Sequence, residues 1–319
     1  MHRRHFLGLS VAAAMAATGV AGCGRSQPLR LGIHPWIGYE SLYLAEEFGW
    51  LPESVLLVKG EAAGDSMAGL LAGELEGAAL TLDEMLRVRD QGGDLVIVGV
   101  TDVSAGADVL MVKPDIVELS ELRGRRVAVE LSGVSGILLI KVLEKAGLSR
   151  DDIVQVNLPV NEHVDAWNRG DVDASVSYEP VSSVLESQGG VRLFDSGDLP
   201  ETIFDVLVVT RQVAETDPQA VRDLLTAHFT GLQHLVRNLH DSVYRVASRH
   251  KTSPAAIRKA LATVMLPDLA SNQRYLASTG RVELMARNLA HIMTTEGMIG
   301  QMPDSRRLCD PSFLPRSVI

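Results

Sequence analysis

Short apolar runs rich in Val, Leu and Ile alternate along this chain with longer stretches in which apolar positions return every three or four residues. That alternation predicts strands separated by helices, hence an α/β chain with parallel strands. The strand runs are Leu29 to Ile33, Val55 to Lys59, Ala78 to Leu80, Leu95 to Val100, Val109 to Val112, Arg126 to Glu130, Ile153 to Asn157, Ala174 to Ser177 and Val206 to Thr210. Helical periodicity covers 40–48, 66–75, 136–146 and 163–168, followed by glycine at 49, 77, 147 and 170, the usual residue past a last helical turn. Beyond Thr210 the strand signal ends and helical pattern takes over at 218–239, 241–250, 253–264 and 282–295. Asp217-Pro218 and Ser253-Pro254 read as helix starts with proline in the first helical position. The expected arrangement is two α/β lobes: 29–111 with 205–319 in the first, 112–204 in the second.

The first thirty residues follow a different logic. A charged start (His2-Arg3-Arg4-His5), an apolar Ala/Gly/Val-rich core and Val20-Ala21-Gly22-Cys23 precede the polar Gly24 to Pro28. Arg3-Arg4-His5-Phe6-Leu7 resembles the twin-arginine export motif, and Val20 to Cys23 resembles the lipobox at which a bacterial lipoprotein is cleaved and acylated. Residues 1–22 are therefore expected to be an export signal, Cys23 the lipidated residue and 23–28 a tether at the cell envelope. The rival reading is an uncleaved anchor, but a bilayer-spanning helix needs roughly 20 predominantly apolar residues, and this stretch is rich in glycine and alanine.

Composition narrows the partners. The 319 residues carry a net charge of −10; losing residues 1–22 removes Arg3 and Arg4 and no carboxylate, which makes it −12. Nucleic acid is not an expected partner, because counterion release needs clustered Lys and Arg. Only Cys309 remains besides Cys23, so no disulfide framework can form and packing must carry stability outside the cytoplasm.

Four segments carry a family resemblance: Leu31-Gly32-Ile33-His34-Pro35-Trp36-Ile37-Gly38-Tyr39-Glu40 with Leu44-Ala45 and Phe48-Gly49; Gly73 to Ala78 with Thr81 to Glu84; Leu122 to Val129 with Gly133 to Gly136; and Gly170-Asp171-Val172-Asp173-Ala174 with Tyr178-Glu179-Pro180. Together they resemble the solute-binding proteins of nitrate, sulfonate and taurine ABC importers, to which thiamine-precursor-binding proteins are related. The resemblance implies a two-lobed, hinged periplasmic binding protein fold of type II with a helical C-terminal region. It also implies a monomer that delivers a small solute to an ABC permease and its ATPase, with no cofactor or metal. Tyr178 stands where the family often has tryptophan, so the solute cannot be carried over.

In open α/β sheets ligands sit beyond the carboxyl ends of the strands. The loop after the first strand offers His34, Trp36, Tyr39 and Glu40 for ligand contact; the alternative is that Trp36 staples the loop and Glu40 opens a helix near its positive end. Ser132, Gly133 and Ser135 precede a helix whose free N–H groups could hold an anion, or one serine is only its cap. Thr81 and Asp83 are candidates, while Glu84 reads as the far end of a Thr-x-x-Glu capping box. Asp102 and Asp108 mark the crossing between lobes, where Asx turns are the plainer reading; Tyr178 and Glu179 complete the set. With Glu40 and Glu179 these carboxylates suit a cationic, zwitterionic or amide-like solute, whereas sulfonate or nitrate calls for Arg or Lys.

No HExxH, GxxxxGK[ST], GxSxG or GxGxxG pattern is present. His228, His234 and His240 recur every six residues, which scatters them around a helix and disfavours a metal; they are expected to be solvated or half-buried. The alternatives to a transport receptor are a lipid-anchored sensor signalling to a membrane partner, or a relative of the thiamine-pyrimidine synthases, which export argues against.

Overall fold

The computed structural model describes residues 27–301 and 308–317. The expected signal at 1–22 and Cys23 lie outside them. Two sheets organise the chain. The first lobe opens with β1 (Leu29–Ile33), α1 (Glu40–Glu47), β2 (Val55–Lys59), α2 (Ala63–Leu71), β3 (Gly77–Thr81), α3 (Leu82–Asp90) and β4 (Leu95–Ser104). The chain then crosses into β5 (Val109–Val112), β6 (Arg126–Val129), α4 (Val134–Ala146), β7 (Val154–Asn157), α5 (His163–Arg169), β8 (Ala174–Ser177), α6 (Val181–Ser187) and β9 (Val191–Asp195). It returns through β10 (Phe204–Thr210), α7 (Arg211–Thr216), α8 (Pro218–Arg237), α9 (Leu239–Arg249), α10 (Pro254–Leu261), β11 (Val264–Met265), α11 (Leu269–Tyr275) and α12 (Arg281–Thr295).

Sheet one has the order β11-β4-β10-β3-β1-β2 and sheet two the order β7-β6-β8-β5-β9. Parallel pairing holds for β1 with β2 and β3, and for β6 with β7 and β8. It fails where the chain changes lobe: β10 runs antiparallel to β3 and β4, and β5 runs antiparallel to β8 and β9. A strand that arrives from the other lobe needs no helical crossover within its own sheet, so either direction is open to it. β5 belongs to sheet two, so the segments that join the two sheets are 105–108 and 196–203. At the crossing Ser104 and Ser196 share a 2.6 Å hydroxyl hydrogen bond, and Gly106 N–H donates to Ser196 Oγ at 2.7 Å.

The apolar alternation puts each sheet between two helical layers. In β4, Val96 and Val98 face the core shared with α1, α8 and α9, while Leu95, Ile97 and Val100 face the one shared with α3 and α12. Sheet two is covered by α4 on one face and by α5 and α6 on the other. Three expectations need correction. The second helix ends at Leu71 with Gly73 (φ 71°) as its stop, and Gly77 instead opens β3. Strand structure does persist beyond Thr210, as β11. His228 is fully buried, donating to or accepting from Ser41 Oγ at 2.8 Å, and burial lowers its pKa to about 4. Among the described residues no helix is long and apolar enough to cross a membrane.

Candidate functional site

Where the lobes face each other, a cavity of about 30 Å³ is lined by His34, Trp36, Ala63, Thr81, Glu84, Asp108 and Asp205, with Val134 and Tyr178 contributed by the second lobe. It lies at the carboxyl ends of β1, β3 and β8, as an open α/β architecture predicts. Register builds its floor. In sheet one Asp205 pairs with Thr81 on one side and with Asp102 on the other, so residues 81, 102 and 205 stand abreast on three adjacent strands. Two like charges opposite each other in a sheet are destabilising, and here they are also fully buried.

Trp36 closes the cavity against Tyr178, ring centroids 5.7 Å apart and nearly perpendicular. Its indole N–H donates to Asp102 at 3.2–3.3 Å, and Thr101 donates to the same carboxylate at 3.2 Å. The turn at Ile37–Tyr39 makes this possible: a Cβ on Gly38 would lie 1.8 Å from Asp102 Oδ2, so any other residue would push the carboxylate away. Behind the floor, the Tyr39 hydroxyl donates to Asp205 Oδ1 at 2.5 Å, and Asp102 stands opposite Asp205 in the register of β4 and β10. His34 packs edge-on to Tyr39 at 5.2 Å, and its Nδ1 is buried with no partner in the protein.

Electrostatically the site is a cluster of acids with no Lys or Arg among its described lining residues. Burial pushes Asp102 up to about 7 and Asp108 to about 6. Burial and then the neighbouring Asp83 push Glu84 to about 8, and burial followed by the charge of Asp102 carries Asp205 well above the carboxylate range. Burial lowers His34 to about 4, which keeps its imidazole neutral. Arg87 is close, with Nε 3.8 Å from Asp83 Oδ2, but its guanidinium donates across the lobes to the Leu131 carbonyl at 3.1 Å.

Of the residues singled out by sequence, His34, Trp36, Thr81, Asp108 and Tyr178 line the cavity, and Tyr39, Asp83 and Asp102 stand directly behind it. Glu40 does not belong: it has no exposure and is held by Arg249 and by His250 Nε2 at 2.6 Å, far along the chain. Glu179 lines a neighbouring pocket with Pro180, Ser183 and His250, and accepts from the Ser183 hydroxyl at 2.8 Å. Ser132 is exposed and Ser135 is buried within the first turn of α4. Neither serine caps that helix, since Gly133 holds the cap position with no side-chain cap. Gly133 instead abuts a carboxylate, for a Cβ there would sit 3.4 Å from Glu84 Oε1. The helix start read as an anion site is thus already faced by the protein's own acid.

Sequence reasoning missed Asp205 and assigned Glu84 to capping alone. Glu84 does cap, accepting from the Thr81 N–H at 2.8 Å, and lines the cavity as well. The signal for Asp205 was an acid at the first residues of an otherwise apolar run, at the point where the chain re-enters the first lobe.

A putative-function name attaches to one relative, an aliphatic sulfonates-binding protein of Escherichia coli, 27% identical over 262 residues and covering 80% of this chain and 82% of that one. The crystal structure of the periplasmic aliphatic sulphonate-binding protein from Escherichia coli superposes with a TM-score of 0.75 at 22% identity, covering 88% of this chain and 91% of the other. The same fold carries a desulfurization enzyme, at a TM-score of 0.66 and 15% identity over 89% of this chain and 97% of that one. The fold is therefore that of two-lobed periplasmic binding proteins. A family model matches residues 24–241, most of both lobes, and the chain belongs to the NMT1-like family.

Proposed function

We propose that this chain is the extracytoplasmic solute receptor of an ABC importer. In this reading 29–104 and 204–317 form the first lobe and 109–195 the second, and a small nitrogen- or sulfur-containing organic solute is gripped between them and handed to the permease and its ATPase. Cys23 would be the acylated tether to the membrane, reached by an export signal of twin-arginine type. In this reading the protein binds and does not catalyse, as its sulfonates-binding relative is named for binding.

The observation that carries the proposal is the cavity walled from both lobes, with Trp36 of one against Tyr178 of the other. A solute that touches both walls prefers the closed arrangement, and that difference in affinity is what drives closure. The relative's name, an aliphatic sulfonates-binding protein, supports the class of activity. Small-angle scattering of the full chain should show compaction when the cognate solute is added. Trp36→Ala should weaken binding by about thirtyfold or more, the ~2 kcal/mol of a buried aromatic anchor, with far-UV circular dichroism unchanged. Unchanged affinity in Trp36→Ala, or tight binding without compaction, would refute the reading.

A further inference from the structure

We infer that the solute bound in this cleft carries a protonated nitrogen, an alkylammonium or guanidinium head received by Asp108, Asp205 and Glu84, and is not a bare sulfonate or nitrate. The inference rests on the receptor reading above and deepens it by fixing the charge of the solute.

Three independent observations converge. The lining holds three carboxyl groups, Glu84, Asp108 and Asp205, and no Lys or Arg, with Asp102 and the Arg87-paired Asp83 buried immediately behind. An anion placed there would meet three carboxyl groups beside His34 and Thr81, whereas a cation supplies the one charge the cluster lacks. Second, His34 lines the same cavity with its Nδ1 buried and unpartnered, and buried polar atoms in native proteins are rarely left so; the missing partner is a polar group of the solute. Third, the helix start that would serve an anion, at Gly133, is faced by Glu84, so that position is set against a negative head group.

Size and walls refine the class. The cavity is small, about 30 Å³, enough by the roughly 10–15 Å³ that one water needs for only a few water-sized groups, so it suits a compact head group with few substituents. Trp36 and Tyr178 offer aromatic walls, which attract cations, and Ala63 and Val134 leave room only for short alkyl groups. Of the three lining acids, burial holds Glu84 and Asp205 protonated at neutral pH without a counter-charge, so a cation bound there must expel protons as they ionise.

The test is calorimetric titration of the full chain with guanidinium, ethylammonium, methanesulfonate and nitrate, each in two buffers of different ionisation enthalpy. At least one of the two cations should bind with release of protons, and neither anion should bind. Asp108→Asn and Asp205→Asn should each lower cation affinity tenfold or more. Both variants keep a hydrogen-bonding side chain, so unliganded melting temperatures at or above that of the unmodified protein will show that the loss is not misfolding. Binding of methanesulfonate or nitrate without either cation, binding of none of the four, or cation affinity untouched in both variants would overturn the inference. Anion binding with compaction would leave the receptor reading standing and remove only the charge assignment; cation binding without compaction would do the reverse.

Discussion

At the scale of single residues, two acids with equal claims in the sequence have opposite fates. Glu40 and Asp108 are both fully or almost fully buried, yet Glu40 is ion-paired with Arg249 of α9 and hydrogen-bonded to His250 in the turn after it, while Asp108 faces a cavity whose described lining holds no Lys or Arg. Glu40→Gln should therefore destabilise the fold by roughly 1–3 kcal/mol, since it strips a buried ion pair of one partner. Urea unfolding reads that loss, and solute affinity should not move; a large affinity loss with unchanged stability would put Glu40 back in the site. Chain position could not separate the two acids, because the partners of Glu40 lie more than 200 residues away. Trp36 was legible for the opposite reason: an aromatic directly after a strand end is placed by local structure alone.

At the scale of elements, helix and strand positions were largely written in local periodicity, and their directions were not. The apolar alternation of Leu95 to Val100 is the same whether its neighbour runs parallel or antiparallel, so the antiparallel docking of β10 escaped the sequence. With it escaped Asp205, which only the register sets beside Thr81 and Asp102. The short strands β9 and β11 were missed too: β9 is half-exposed and mixed in polarity, and β11 has two residues. Helix packing hides a comparable long-range requirement. α8 crosses α1 so closely that a Cβ on Gly231 would lie 1.9 Å from the Ser41 carbonyl oxygen, one turn beyond the His228 contact with the same residue. Alanine favours a helix interior over glycine by about 1 kcal/mol, but forcing the two backbones apart costs about 1–3 kcal/mol. Gly231→Ala is accordingly expected to lower the denaturation midpoint, and a raised midpoint would mean that the crossing yields without strain.

At the scale of the whole molecule, the cleft sets how stability depends on pH. The groups on and behind it are His34 and Tyr39 from the loop after β1, Asp83, Glu84 and Arg87 from α3, Asp102, Asp108 and Asp205 from the lobe crossing and its neighbouring strands, and Tyr178 and Glu130 from the second lobe. Below about pH 6.5 two effects oppose each other. His34, His163 and His228 are lowered by burial, so the folded state binds fewer protons than the unfolded chain and gains stability as pH rises, while Asp108, pushed up to about 6, does the contrary. Above it the unfolded histidines lose their last protons within about a pH unit, and the raised acids outweigh them: Asp102 at about 7, Glu84 at about 8, and Asp83 and Asp205, both raised by burial. There the folded protein holds protons that the unfolded chain has lost, so stability must fall as pH rises from about 6.5 to 8.5. Each extra bound proton is worth ~1.4 kcal/mol per pH unit, or about 2–4 °C in melting temperature for a chain of this size. Scanning calorimetry of the unliganded protein should record that decline, and a saturating cation should flatten it by supplying the charge that lets the acids ionise in place. A melting temperature that climbs over the same interval would mean that the acids are already ionised and balanced, leaving a closed cleft with no electrostatic reason to prefer a cation.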